Sequence, residues 1–167
     1  MQDTMLRISD FINPETIFPG VALKNKEAIL QFIADKCQEN GIVTNADILF
    51  KGLVKREESM STGVGHSMAF PHTTTPERDQ AAVLVISLAT PVPFDSIDDK
   101  PVDTIFAIII PESNQTQHLQ ILARISRLCR KPNFMQSIRQ ATDPKKLKET
   151  ITKFEDEITN YLYQSDD

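Results

Sequence analysis

The sequence is poor in cysteine, has no tryptophan and lacks an apolar run long enough to cross a bilayer. Its two cysteines, Cys37 and Cys129, stand far apart and outside any C-x-x-C pair, which excludes a disulfide framework and a cysteine-based metal site. The longest apolar runs, 81–89 and 105–110, have the length of strands, whereas a membrane span needs about 20 residues. The first residues also lack the basic and apolar regions of a signal peptide. We therefore expect a cytoplasmic protein that is not itself in the membrane.

Basic residues are outnumbered by acidic ones, 18 against 23 among 167 residues, which gives a formal net charge of −5 at pH 7. Tight binding to a phosphate backbone needs a basic excess that releases counterions, so we expect no nucleic-acid partner. The length and the 40% content of hydrophobic residues are typical of one compact domain. We expect that domain to span residues 1–167.

Apolar residues at helical spacing predict several helices. The first covers residues 26–39, and Asn45 is a suitable N-cap for a second helix that ends near Arg56. A third helix is expected to begin near Thr116, which places His118 in its first turn. The remaining predicted helices are a short one over 134–140 and a last one that begins at Asp143-Pro144 and runs toward Tyr161.

Two continuous apolar runs, 81–88 and 104–110, are typical of strands buried on both faces. The segment between them, 91–101, contains three prolines, which predicts a surface connecting loop and excludes a central strand. With further short strands before and between these runs, the pattern indicates an α/β fold. We expect a single layered domain in which a mixed β-sheet is flanked by helices on both faces.

Histidine is rare, and two of the three histidines fall in one loop-like segment, residues 61–72. Neutral imidazole is a nucleophile and a proton carrier near pH 7, and the Pro71 before His72 favours an extended, partly exposed setting. His118 is predicted at the start of a helix, where the helix dipole disfavours the imidazolium form. The residues alone are also consistent with a loop histidine that has no role and a structural His118.

Arg56, the hydroxyls of Ser61 and Thr62 and the glycines Gly63 and Gly65 together predict a site for a phosphate-like anion. The alternative is that Arg56 is a solvated charge beside acidic neighbours and that the glycines serve turns. Neither the P-loop nor the dinucleotide-binding motif is present, so we expect no nucleotide cofactor.

A three-histidine zinc set made of His66, His72 and His118 is a further alternative, but its spacing matches no ligand signature, and we expect no metal. The absence of a G-x-S-x-G motif argues against serine hydrolase chemistry.

Several motifs follow one another in a distinctive order. They are Arg56-Glu57, Ser61-Thr62-Gly63-Val64-Gly65, Ala69-Phe70-Pro71-His72, Pro91-Val92-Pro93-Phe94-Asp95, Lys100-Pro101-Val102-Asp103 and His118-Leu119. In order and spacing they resemble the enzyme IIA domains of the fructose/mannitol type from the bacterial phosphotransferase system. Within that family the sequence is most similar to the nitrogen-regulatory branch, and the resemblance covers about residues 6–155.

The resemblance implies a histidine phosphocarrier without metal or cofactor. It implies that His72 accepts phosphate from the phosphohistidine of HPr or of its nitrogen-branch relative, and that Arg56 and His118 flank the phosphate. The hydroxyls of Ser61 or Thr62 are expected to add donors to the phosphoryl oxygens. An apolar depression for the donor is expected to include Val64, Met68 and Phe70, and the acidic net charge would suit a basic partner face.

The onward partner implied by the resemblance is either a regulatory target protein or a membrane permease component that takes up sugar. A third reading is a binding module on the same fold that no longer transfers phosphate. Its supporting features are Met60, His66-Ser67 and Thr73, which stand where the family has glycine, Asn-Gly and glycine. A side chain at a glycine position costs energy where φ is positive, and His66 is also a candidate hydrogen-bond partner of His72.

Overall fold

The computed structural model describes residues 6–164, with side chains over 6–159, and its centre is one sheet of six strands. The strands are β1 (Ile17–Val21), β2 (Gly63–Gly65), β3 (Met68–Ala69), β4 (His72–Thr75), β5 (Ala82–Val92) and β6 (Val102–Pro111). Their order across the sheet is β1-β5-β6-β3-β2. β4 pairs with the same edge of β6 as β3 does, but farther along that strand.

The sheet is mixed, as predicted. β5 and β6 pair antiparallel over most of their length, whereas β1 runs parallel to β5. The short strands β3 and β4 follow one another along β6 and both run parallel to it, so that His72 lies opposite Ile108.

Within the described residues, five α-helices cover the sheet. They are α1 (Lys26–Glu39), α2 (Ala46–Ser59), α3 (Thr116–Cys129), α4 (Phe134–Gln140) and α5 (Pro144–Gln164). Local capping explains the first two starts, because the side chains of Asn25 and Asn45 accept hydrogen bonds from the backbone N–H groups of Ala28 and Ile48. The predicted bounds of α1 and α4 are confirmed to the residue. None of the helices within 6–164 is long and apolar enough to span a membrane.

Side-chain alternation along the central strands divides the interior into two cores. In β5, Leu84 and Ile86 pack into a cluster with α1 and α2, whereas Val83 and Val85 pack into a second cluster with α3, α4 and α5. Because helices cover both faces of β5 and β6, successive residues of both strands are apolar rather than alternating with polar ones. The predicted layered α/β architecture is confirmed.

The prediction of a surface loop over 91–101 is wrong in two respects. β5 continues through Pro91 to Val92, with a register shift after Ser87 that lets the strand accommodate the proline. Beyond the strand, Phe94 is fully buried and Ser96 nearly so. Alternation of buried and exposed residues therefore persists into a segment that its prolines had marked as a loop.

Candidate functional site

His72 is the first residue of β4, and its position is fixed by pairing to the central strand β6. The carbonyl of Pro71 accepts a hydrogen bond of 2.9 Å from the backbone N–H of Ile108. The imidazole is half-buried, at the end of the sheet where β4 begins. Pairing with the buried strand β6 therefore fixes the backbone at His72, while the ring stays in reach of solvent.

The two ring nitrogens of His72 have different roles. Nδ1 lies 2.9 Å from the carbonyl oxygen of Phe70, and because a carbonyl only accepts, Nδ1 carries the proton and donates it. Nε2 lies 3.0 Å from Nε of Arg56, which donates its N–H to it. Nε2 thus holds the lone pair that makes a neutral imidazole nucleophilic.

Burial keeps His72 neutral. It lowers the pKa of this imidazole below the ordinary value of 6.5, and the nearby Arg56 guanidinium lowers it further. The Phe70 carbonyl and the charge of Glu57 act in the opposite direction, but the net shift of the pKa is downward. At pH 7 the ring is therefore unprotonated at Nε2.

His118, in the first turn of α3, lies against His72. The two ring centroids are 4.3 Å apart with an angle of 37° between the planes. Burial, followed by the charges of His72 and Arg56, lowers the pKa of His118 to about 4. The neutral form matches the expectation, although burial rather than the helix dipole is the main cause. Within the described residues, its Nε2 is buried without a hydrogen-bond partner.

Arg56 reaches the histidines because α2 passes unusually close to β4. One turn before Arg56, a Cβ on Gly52 would lie only 2.7 Å from Oγ1 of Thr73. This close approach brings the next turn of α2 alongside His72. The guanidinium is also tied to the chain after the helix, where Nη1 donates to the carbonyl of Met60 at 3.2 Å.

The hydroxyls of Ser61 and Thr62 donate within the loop rather than to the histidine pair. Oγ1 of Thr62 donates to the carboxylate of Glu57 at 2.7 Å, and the backbone N–H of Thr62 donates to the same carboxylate at 2.7 Å. Oγ of Ser61 donates to the carbonyl of Phe94 at 2.6 Å. Both residues hold the site loop in place, and their predicted contact with phosphate stays a prediction.

Glu57 is a site residue that the sequence analysis treated only as an acidic neighbour of Arg56. It is 8% exposed and forms an ion pair of 2.8 Å with Nζ of Lys26 in α1. Lys26 also lies 4.7 Å above the ring of Phe94, the residue whose carbonyl receives Ser61. The signal was available in the sequence, since Leu49, Leu53 and Glu57 follow at i, i+4 and i+8 on the buried side of α2.

Three departures from the family pattern differ in their consequences. Met60 has φ of −165°, an extended conformation open to any residue, and Thr73 is not among the described residues with positive φ. By contrast, His66 and Ser67 have φ of 54° and 62°, so the two-residue turn between β2 and β3 holds side chains in a conformation that favours Asn-Gly. Of the three departures, the one that places side chains at positive φ is therefore the His66-Ser67 turn.

His66, a candidate hydrogen-bond partner of His72 from the sequence, is not among the described partners of the His72 ring. Its backbone N–H is bonded to Asp98 and its carbonyl to Arg139, whereas the described partners of the His72 ring are Arg56, His118 and Phe70. In the part of the chain that the structure describes, no three His, Cys, Asp or Glu side chains are grouped to hold a metal ion.

The three residues expected in a docking depression do share one. Val64, Met68 and Phe70 line a depression of about 590 Å³, in which Val64 is 39% exposed and Met68 and Phe70 are 8% exposed each. Arg130 and Arg139 line the same depression. The charge beside it is therefore basic, opposite to the expectation drawn from the net charge of the whole chain.

The chain is similar to known proteins in both sequence and fold. Residues 10–154 match the family model described as phosphoenolpyruvate-dependent sugar phosphotransferase system, EIIA 2. A nitrogen regulatory protein of Bradyrhizobium diazoefficiens is 35% identical over 137 residues, which are 81% of this chain and 88% of that protein. A nitrogen regulatory protein of Escherichia coli (strain K12) is 30% identical over 154 residues, 92% of this chain and 94% of that protein.

The fold is also similar to a solved structure. The nitrogen regulatory protein IIA-Ntr from Neisseria meningitidis superposes with a TM-score of 0.79 at 23% identity, covering 86% of this chain and 98% of that one. This likeness shows the shared fold, and the family match spans nearly the whole described chain, from before β1 into α5. The chain belongs to the EIIA 2 family of the phosphoenolpyruvate-dependent sugar phosphotransferase system.

Proposed function

We propose that this protein is a histidine phosphocarrier in which His72 accepts a phosphoryl group from the phosphohistidine of an HPr-type donor. The observation that carries the proposal is the state of one imidazole. Its proton is held on Nδ1 by the Phe70 carbonyl, and its Nε2 is aimed at Arg56. Family membership supports the same role.

In the proposed step, Nε2 of His72 attacks the phosphorus of the donor and a new N–P bond forms. The N–P bond of the donor phosphohistidine breaks, and its electron pair stays on the donor ring. Because the proton of His72 is already on Nδ1, no proton has to leave the attacking nitrogen. The barrier is therefore lowered mainly by position and by charge stabilisation.

Arg56 acts in two states in this proposal. Before transfer, its Nε–H covers the lone pair of Nε2 at 3.0 Å, so the guanidinium must turn aside as the donor arrives. It then donates to the phosphoryl oxygens, where a cation is most effective. His118 stays neutral, and its unpartnered Nε2, carrying the ring proton, donates to the same phosphoryl oxygens. The Ser61 and Thr62 hydroxyls contribute only if they release their present acceptors.

We also propose that the phosphorylation state decides which regulatory protein is bound. The relatives named nitrogen regulatory proteins, of which one is 35% identical, favour this onward role. The alternative is transfer to a membrane permease component, in keeping with the sugar phosphotransferase description of the family. We place the protein in the cytoplasm as one domain over 1–167, and its two free cysteines fit a reducing compartment.

The test is to incubate the protein with phosphoenolpyruvate, enzyme I and HPr and to follow its intact mass. We expect one acid-labile, alkali-stable phosphoryl group per chain. His72→Ala should remove the label, whereas the matched control His66→Ala should keep it, and His118→Ala should accept phosphate but impair onward transfer.

An unmodified mass beside a functioning control phosphocarrier would refute the carrier proposal and leave the reading as a binding module. A label that persists in His72→Ala would move the acceptor role to another histidine.

A further inference from the structure

The charge of this chain is distributed very unevenly. Between Ser113 and Thr142 the sequence has five basic residues and no acidic one, although the whole chain carries a formal charge of −5. This stretch contains α3 and α4. One of the five, Arg124, is buried in an ion pair of 3.1 Å with Glu155. The other four are Arg127, Arg130, Lys131 and Arg139.

These four basic residues line two adjoining cavities. The first is the depression over Val64, Met68 and Phe70, which Arg130 and Arg139 also line. The second, about 720 Å³, lies between α3 and α5 and is lined by Arg127, Arg130, Lys131 and Ile158. Because Ser126 and Arg130 line both, the two cavities form one continuous surface, which we call the α3–α4 face.

The positive charge of the α3–α4 face is only partly neutralised. Lys131 pairs with Glu157 at 3.3 Å, and Arg139 pairs with Asp103 at 3.0 Å. Within the described residues, Arg127 and Arg130 have no carboxylate within 4.0 Å. Two guanidinium groups are thus left to interact with an anionic partner, that of Arg130 where the two cavities join and that of Arg127 in the second cavity.

We infer that the α3–α4 face docks a protein partner through a segment that combines acidic side chains with apolar ones. The acidic groups pair with Arg127 and Arg130, and the apolar groups fill the floor formed by Met68, Phe70 and Met135. Nucleic acid fits less well, because the rest of the chain is strongly acidic. A small anion would leave the apolar floor uncovered.

The docking face is connected directly to the reacting ring. Phe70, part of its floor, is the residue whose carbonyl accepts the Nδ1 proton of His72. A phosphoryl group carries up to about two negative charges at pH 7, and on Nε2 it would repel an acidic segment nearby. This last step rests on the proposed function: the acidic partner prefers the unphosphorylated protein.

The test uses a short synthetic peptide of alternating Glu and Leu. The control peptide has the same Glu residues, with Ser in place of Leu, and so lacks the apolar side chains. Binding is measured by fluorescence anisotropy at low and high salt, and its location by NMR shifts of backbone amides. We expect the Glu/Leu peptide to bind about tenfold more tightly than the control peptide and to shift Val64, Met68 and Arg130. High salt should weaken it.

The decisive variants have the same change in net charge. Arg127→Glu with Arg130→Glu should weaken binding of the Glu/Leu peptide at least about tenfold, whereas Lys145→Glu with Lys146→Glu, on exposed positions of α5, should not. Arg130→Gln is the milder variant if the double one unfolds. Equal weakening by both double variants, or shifts that map elsewhere, would overturn the inference.

Phosphorylation separates this inference from the proposed function. Protein labelled on His72 should bind the Glu/Leu peptide more weakly than unlabelled protein, and unchanged binding would remove the claim of a phosphorylation-sensitive partner. If His72 takes no label but the peptide still binds at the α3–α4 face, the proposed function fails and the docking inference stands.

Discussion

At the scale of single residues, Glu57 influences the chemistry of the site although it does not contact the imidazole of His72. Its carboxylate accepts the backbone N–H and the hydroxyl of Thr62 and pairs with Lys26, while the neighbouring Arg56 meets His72. A buried carboxylate with this many donors is costly to neutralise. The ionic network therefore holds the loop after α2 in place and contributes to the electrostatic potential at the His72 ring.

Glu57→Gln tests that network. The amide keeps the shape but removes the 2.8 Å ion pair with Lys26 and leaves that lysine with the longer, 3.6 Å contact to the exposed Asp95, so the free energy of unfolding should fall by about 1–3 kcal/mol. Because the charge of Glu57 raises the pKa of His72, its loss should lower that pKa further. Urea unfolding and an NMR titration of His72 measure the two effects. The exposed neighbour Glu58→Gln is the control, and equal effects of both variants would contradict the account.

At the scale of elements, the site depends on how closely α2 approaches β4. Gly52→Ala should push the helix from Thr73 by overpacking, at a cost of about 1–3 kcal/mol in unfolding free energy. It should also weaken the contact of Arg56 with His72, and so slow phosphoryl acceptance in the assay above. Lys51→Ala, on the exposed side of the same turn, serves as the control. Normal transfer by a folded Gly52→Ala protein would refute this role of the close approach.

Elements whose structure is determined by residues close in the sequence could be predicted, whereas elements that depend on distant pairing could not. α1 and α2 begin at Asn caps and keep a helical apolar stripe, so their first residues were readable from the sequence, whereas α2 continues past the predicted end near Arg56 to Ser59. β5 was cut short because proline argues against a strand, whereas a register shift admits Pro91. The left-handed turn at His66 and Ser67 carries no glycine, so the usual sequence signal for it was missing.

In the whole molecule, the site forms where the two helical layers meet at the sheet. Arg56 comes from the layer of α1 and α2, His118 comes from the layer of α3 to α5, and His72 comes from the sheet between them. The family motif predicted which residues belong together. Their 3.0 Å contact and the state of each nitrogen could not be predicted, because long-range packing decides them.

The pH dependence of stability should report the half-buried pair of His72 and His118. The pKa of His118 is lowered to about 4 in the folded protein, whereas an unfolded histidine titrates near 6.5. The unfolded chain therefore binds the proton first, so stability is full above about pH 6.5 and decreases as the pH falls toward about 4. The lowered pKa of His72 acts in the same direction.

Urea unfolding across this pH range measures the effect. Relative to the unmodified protein, His118→Gln should show a shallower loss of unfolding free energy with falling pH. Parallel curves for the two proteins would mean that His118 is not held neutral by its surroundings.

The most direct test of the central claim is to locate the phosphoryl group within the ring. The protein, labelled with ¹⁵N in its histidines, is phosphorylated and its imidazole nitrogens are observed by NMR. We predict coupling of phosphorus to Nε2 of His72, with the proton retained on Nδ1. Phosphorus on Nδ1, or on a ring other than His72, would contradict the account.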